Sequence, residues 1–237
     1  MIVGTVLLHR LMLILTLVGL TQAADLIPVT GAPPDLGQSF LTARGRLDDS
    51  AVPSLAAFRA SLPSDGGGSL AGVHVAGRLA LRVLAQPAGS PGFVTAQPDA
   101  ASLFGMALAY GTTGLIAHNY LAGEAFLDLA SGDRIVLLYA DGTSQTYQVE
   151  SVRSLQALSP WSPTSQFVDL AAPDESLSAA SLFGQVYGGD NPLVLQTCLT
   201  RGDNPVWGRW FVLAQPAIDR LAAGRLIKLA DLIQELG

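Results

Sequence analysis

The chain has 237 residues, 49% of them hydrophobic and 14% charged, which is too apolar for a disordered chain and long enough for one domain of roughly 130 to 200 residues with a real core. No second long apolar run marks a multi-spanning membrane protein. The formal net charge is −6, and no predicted element carries a cluster of Lys and Arg, so there is no electrostatic footprint for a nucleic-acid partner.

Residues 1–23 read as a signal peptide or an N-terminal anchor. Arg10 precedes an apolar run from Leu11 to Leu20, and Thr21-Gln22-Ala23 before Ala24 offers the small residues a signal peptidase accepts. The clean run is about half of the roughly 20 residues a spanning helix needs, unless Arg10 snorkels and Ile2–Leu8 lengthens it. Both readings place the body of the chain outside the cytoplasm, secreted or held at the outer face of the cytoplasmic membrane. There, the single cysteine cannot form an internal disulfide and is an intermolecular bridge, an inert buried residue or a nucleophile.

Residues 24–69 are rich in Pro, Gly, Ser and Asp and read as a flexible linker with at most a short helix around Leu55–Ala60. A packed domain is expected over 70–216. Val73-His74-Val75 and Leu79–Leu84 read as the first strands, and Ala100–Tyr110 has helical spacing. Leu115–Ala117, Arg134–Tyr139 and Gln145–Val152 read as strands, the last two joined by Ala140-Asp141-Gly142-Thr143, a strong hairpin signal. An irregular stretch from Ser159 to Pro173 precedes a short helix over Leu177–Tyr187. Leu193–Thr197 and Trp207–Ala214 read as adjacent strands separated by a polar turn from Leu199 to Val206. In residues 217–237, Ile218, Leu221, Leu226, Leu229, Leu232 and Ile233 recur at near-helical spacing, so an amphipathic helix packed on the domain is expected. Many short strands with two or three helices favour a compact β-barrel over a parallel α/β sheet.

Three segments combine a reactive side chain with an apolar strand. His118 follows Leu115-Ile116-Ala117, Cys198 follows Leu193–Thr197, and Arg209 opens the strand that could run back beside the one bearing Cys198. Alone, each has a bland reading: a buried strand cysteine, a histidine bonded to backbone, a surface cation over Trp207 or Trp210. Arg201 is the rival cation, in the turn just after Cys198.

Together these segments resemble the sortases, whose signature is a Thr-Cys step ending a strand, an Arg at the start of the next strand and an upstream Ala-Gly-His or similar segment. The likeness runs from Leu70 to Pro216. It departs at Ala117, which precedes His118 with no intervening Gly, and at Leu195, where many members carry a polar residue. The resemblance implies a mainly β, closed barrel of about eight strands. It implies Cys198 as nucleophile, His118 as catalytic histidine and Arg209 as catalytic arginine, with Thr197, Ala117, Asn119 and Trp207 along the substrate groove. The partners it implies are a sorting-signal peptide of a surface protein and an amine acceptor of cell-wall or pilin type, with no cofactor. Asp133, Asp141, Glu124 and Asp128 could form a calcium site like that of some sortases, but they show no calcium-specific spacing, and no metal is expected. Ile27-Pro28-Val29-Thr30-Gly31 looks like a sorting peptide that could occupy its own groove, although Pro and Gly belong in any linker.

The chemistry explains the residue types. A thiol with pKa near 8.5 is only a few per cent thiolate at neutral pH, so a nearby imidazole or cation activates it. Histidine can take that proton and return it to a leaving amine. Arginine offers fixed donors to the oxygen that gains charge. The alternative is a non-catalytic domain on the same barrel that binds a cell-surface peptide or braces an envelope assembly.

Overall fold

The computed structural model describes residues 52–162, 164–188 and 191–217. The signal or anchor segment, Ile27–Gly31 and the C-terminal helix expected from Ile218 onward lie outside the described residues.

Ten strands form one sheet: β1 Leu70–Val75, β2 Leu79–Ala85, β3 Ala100–Leu103, β4 Thr113–Ile116, β5 Arg134–Tyr139, β6 Ser144–Ala157, β7 Gln166–Asp169, β8 Ala172–Ser178, β9 Leu193–Arg201 and β10 Asn204–Pro216. The order is β10-β9-β4-β3-β2-β1-β5-β6-β7-β8, and β10 also pairs with β6. That second pairing closes the first eight strands of the order into a barrel, and β7 and β8 extend from β6 as a hairpin outside it. The protein is thus mainly β with a closed eight-stranded barrel and a few short helices. β2–β3 and β4–β9 pair in parallel and the rest antiparallel.

Alternation along each strand sorts the core into two layers. Val73, Leu81, Ala101, Leu115, Leu137, Val149, Leu195 and Val212 belong to one buried cluster drawn from all eight barrel strands, which is the barrel interior. The 3-10 helix Ala122–Asp128 adds Phe126 to that cluster, and Trp210 Nε1 donates to the Phe126 carbonyl at 3.0 Å. The second cluster, with Ile116, Val194, Phe211 and Leu213, lies on the outer face of β4, β9 and β10. Helix α3 (Ala179–Tyr187) covers it with Leu182, Phe183, Val186 and Tyr187, and β7 adds Phe167. Ser178 caps α3 by accepting from the Ser181 N–H at 3.1 Å. Helix α1 (Leu55–Ser61) lies on β1, where Gly72 leaves room for Phe58 and Leu62.

Several elements differ from the sequence-based expectation. Ala100–Tyr110 divides into β3 and a single-turn helix α2 (Gly105–Leu108). Ala100–Leu103 pairs with β2 on one side and β4 on the other, and this sheet pairing overrides helical propensity. The expected turn from Leu199 to Val206 is mostly strand, with only Gly202 and Asp203 turning, and Gly202 takes the left-handed φ of +56°. Cys198 therefore lies within β9 rather than beyond its end, and Arg209 lies well inside β10. The exposed, polar β8 carries no alternating pattern in sequence and was expected as irregular chain and helix. The Asp141-Gly142 hairpin is present, with Gly142 at φ +84°.

Arg153 on β6 ties the outer layer together. Its Nε and Nη2 donate to Asp169 Oδ2 on β7 at 3.1 and 2.9 Å, and its Nη1 donates to Gln185 Oε1 on α3 at 3.1 Å. Both partners of the ion pair are largely shielded, so screening is weaker than at an open surface pair. Arg153→Met is expected to cost about 1–2 kcal/mol. Urea unfolding should show a lower midpoint at constant slope, with faster amide exchange in α3 and β7; an unchanged midpoint would leave this clamp with no structural role.

Candidate active site

β9 runs between β4 and β10, and its registers set the site. In the parallel pair Ile116 faces Gln196, and the Ala117 N–H donates to the Gln196 carbonyl at 3.2 Å. In the antiparallel pair Cys198 faces Arg209 directly, with roughly 5 Å between neighbouring Cβ atoms. His118 lies two residues past the end of β4, and extending the same offset sets it level with Cys198. By alternation all three share the outer face with Ile116, Val194 and Phe211. The chain leaves β4 after Ile116 and turns just beyond His118: Leu121 and Gly123 N–H both donate to the His118 carbonyl, at 3.0 and 2.9 Å.

The three residues are deeply set, with His118 8%, Cys198 6% and Arg209 2% exposed. Tyr120 stacks its ring on the His118 imidazole, centroids 5.1 Å apart. Burial pushes the His118 pKa below its ordinary value, and a hydrogen bond to the Val94 backbone pulls it part of the way back. Val94 sits in the loop between β2 and β3, which Gln86 pins by donating to the Pro91 and Phe93 carbonyls and accepting from the Gly105 N–H. An imidazole that donates to a carbonyl with one nitrogen keeps an acceptor on the other.

Arg209 is held by its own strand. β10 bulges between Asn204 and Gly208, and Nη1 donates to the Val206 and Gly208 carbonyls at 3.1 and 2.8 Å. Its guanidinium carbon lies 5.9 Å from the centre of the Phe167 ring. Among the described residues no carboxylate pairs with this buried cation. Arg201, the rival, is exposed and stacks on Trp207 at 5.0 Å at the tip of the β9–β10 hairpin.

The residues expected along the groove divide. Trp207 lies in the β10 bulge, half-buried under Arg201. Asn119 uses its Nδ2 to donate to Thr200 Oγ1 at 2.8 Å and to the Pro205 carbonyl at 2.9 Å, fastening the turn after His118 to the β9–β10 hairpin. Thr197 points to the opposite face of β9 from Cys198, where its hydroxyl donates to the Ala117 carbonyl at 3.0 Å. Among the described residues no group of three or more His, Cys, Asp or Glu is gathered to hold a metal. No helix of the described residues is long and apolar enough to cross a membrane.

Sequence reasoning passed over Tyr120, Val94 and Gln196. Tyr120 and Val94 carry no sequence signal of their own, since their role comes from a turn and a crossing loop. Gln196 does carry one, as a lone amide directly after the apolar run Leu193-Val194-Leu195.

No family model matches the chain, and no curated protein matches it in sequence. Solved structures similar to it include sortase C of Clostridium perfringens with the C-terminal cell wall sorting motif, at 16% identity and a TM-score of 0.41, covering 63% of this chain and 71% of that one. The pilus-related sortase C of Group B Streptococcus shares 14% identity at a TM-score of 0.40, covering 70% of this chain and 86% of that one. Sortase A of Corynebacterium diphtheriae shares 15% at 0.39, covering 62% of this chain, which spans 60% of that one. Likeness at these levels says nothing about chemistry.

Two outcomes are expected. A Cβ on Gly123 would lie 2.7 Å from the His118 carbonyl oxygen and 2.6 Å from that of Ala117, and would also strike the Thr197 hydroxyl. Gly123→Ala should therefore destabilise the fold by about 1–3 kcal/mol and broaden the His118 resonances; a neutral change would mean that this turn yields freely. In the unaltered protein, the His118 ring should titrate by NMR with a midpoint below 6.5. The fold then favours the neutral ring, so this group's contribution to stability rises with pH between the folded and unfolded midpoints and is lost as pH falls through that window. A midpoint above 6.5 would instead indicate a resting thiolate–imidazolium pair.

Proposed function

We propose that the protein is an exported cysteine transpeptidase of sortase type, which cleaves a sorting-type peptide through a thioester on Cys198 and passes the acyl group to an amine or to water. The observation that carries this reading is a buried guanidinium with no carboxylate partner among the described residues, paired across two strands with the only thiol of the chain, near the strand end that carries a buried imidazole. A desolvated cation is costly unless something negative meets it, and the oxygen of a tetrahedral intermediate at Cys198 is such a group.

In this reading the Cys198 sulfur attacks the scissile carbonyl carbon while His118 takes the thiol proton. Charge collects on the carbonyl oxygen opposite Arg209. Two of the carbonyls near Arg209 already fix its Nη1, which leaves Nε and Nη2 for that oxygen. The carbon–nitrogen bond then breaks, His118 protonates the departing amine, and the acyl group remains as a thioester. An incoming amine attacks the thioester, gives its proton to His118 and restores the thiol; water in its place yields the acid. The acceptor is an amine of cell-wall or pilin type. The stretch between Ser159 and Asn191, with Trp161 and Leu170 exposed, supplies one wall of the groove.

The near-complete enclosure of Cys198 also suits the second reading, a non-catalytic barrel that binds a cell-surface peptide. Incubation with a pool of sorting-type peptides and several amines, with products identified by mass, separates the two. The account expects cleaved and amine-joined products, none from Cys198→Ala, and an unchanged fold in that variant. Arg209→Lys keeps the charge and loses the planar fork, and should lower turnover by about 10²–10³-fold. A greater loss in Arg201→Lys would assign the role to the other arginine, and turnover by Cys198→Ala would end the enzyme reading.

A further inference from the structure

Two residues before Cys198 on the same face of β9, the layer beneath α3 changes character. Its residues there are Ile116 of β4, Gln196 of β9 and Phe211 of β10, in register. Gln196 is buried among apolar neighbours, where a side chain such as isoleucine would fill the space at no polar cost. Tyr187, at the end of α3, crosses the outer face over Gly114, since a Cβ on Gly114 would lie 3.2 Å from its ring. Its hydroxyl donates to Gln196 Oε1, and its own carbonyl accepts from Thr112 Oγ1 at 2.9 Å. The tyrosine ring is packed against Phe104, Phe183 and Phe211, so the hydroxyl has little freedom to move.

This bond settles which way the amide points. Turning it over would leave the proton of a fully buried hydroxyl without an acceptor. With Oε1 taken by Tyr187, Nε2 is directed away from the aromatic cluster. It has no acceptor among the described residues, yet no enclosed side-chain nitrogen or oxygen there lacks a partner, so Nε2 is not completely enclosed, although Gln196 as a whole is buried. A fixed donor thus lies at the edge of this layer, about 6.8 Å along the strand from Cys198, the length of two residues of extended chain.

We propose that Gln196 is a substrate-binding residue, its Nε2 donating to a backbone carbonyl of the bound peptide about two residues from the scissile one, with Tyr187 as the positioning residue that aims it. The proposal rests on the transpeptidase reading, because that reading supplies an extended peptide across Cys198. It differs from the role of Arg209: a donor two residues away binds the peptide equally before and during reaction, so its loss appears in KM and leaves the chemical step largely as it was.

The test uses the full chain and the peptide of the sorting-type pool that the unaltered protein turns over fastest. Gln196→Met fills the same space without a donor and should raise KM by roughly 3- to 10-fold, the range of one neutral hydrogen bond. Tyr187→Phe leaves the amide present but unaimed, and should raise KM by less. The double variant should be no worse than Gln196→Met, since both changes remove one interaction. Melting curves of each variant confirm that it is folded. A KM within twofold of the unaltered value in folded Gln196→Met, or a fall confined to kcat, overturns the proposal and leaves the transpeptidase standing. A pool left wholly intact by the unaltered protein overturns the transpeptidase reading, and this proposal with it.

Discussion

The site depends on the register of β9 against its two neighbours. Side chains alternate between the barrel interior and the outer layer, so a slip by one residue would carry Cys198 inside and bring Thr197 out. Leu193 and Leu195 hold the register, because both are completely buried in the interior and have no room on the outer face. On the β10 side the ladder from Gly208 to Ala214 keeps Arg209 opposite Cys198, and on the β4 side the parallel pairing up to Ile116 directs the chain so that His118 follows toward the same level. The placement of these three residues is therefore a by-product of ordinary barrel packing.

Enclosure sets the electrostatics. The imidazole is pushed toward its neutral form, and among the described residues the guanidinium is held by two carbonyls and an aromatic face, with no carboxylate. A carboxylate there would quench the field that an oxyanion needs, whereas carbonyl dipoles fix the group in place and leave its charge available. Rigidity comes from the surrounding ties: Asn119 to the hairpin, Gln86 to the crossing loop, Arg153 to α3 and β7.

Much of the barrel was legible in sequence because its strands are short apolar runs with clear punctuation, as at Asp141-Gly142. Where tertiary pairing overrode local preference, at Ala100–Leu103, the pattern pointed to a helix, and the polar β8 gave no pattern at all. Cys198, His118 and Arg209 could be singled out because each flanks an apolar run and together they resemble the sortase signature, but how closely they align could not, since it depends on a parallel register between strands about eighty residues apart. The bulge that turns two carbonyls onto Arg209, and the inward direction of Thr197, likewise belong to register and not to composition.

The central claim is that Cys198 becomes acylated beside Arg209. The most direct measurement is the intact mass of the protein, quenched in acid during incubation with sorting-type peptides, followed by mapping of the modified residue. The account requires a mass increase equal to the N-terminal fragment of a peptide, located on Cys198 and removed by hydroxylamine, as a thioester is. Peptide cleavage with no such adduct at any quench time in unaltered protein and in Arg209→Lys, or an adduct on another residue, would contradict it.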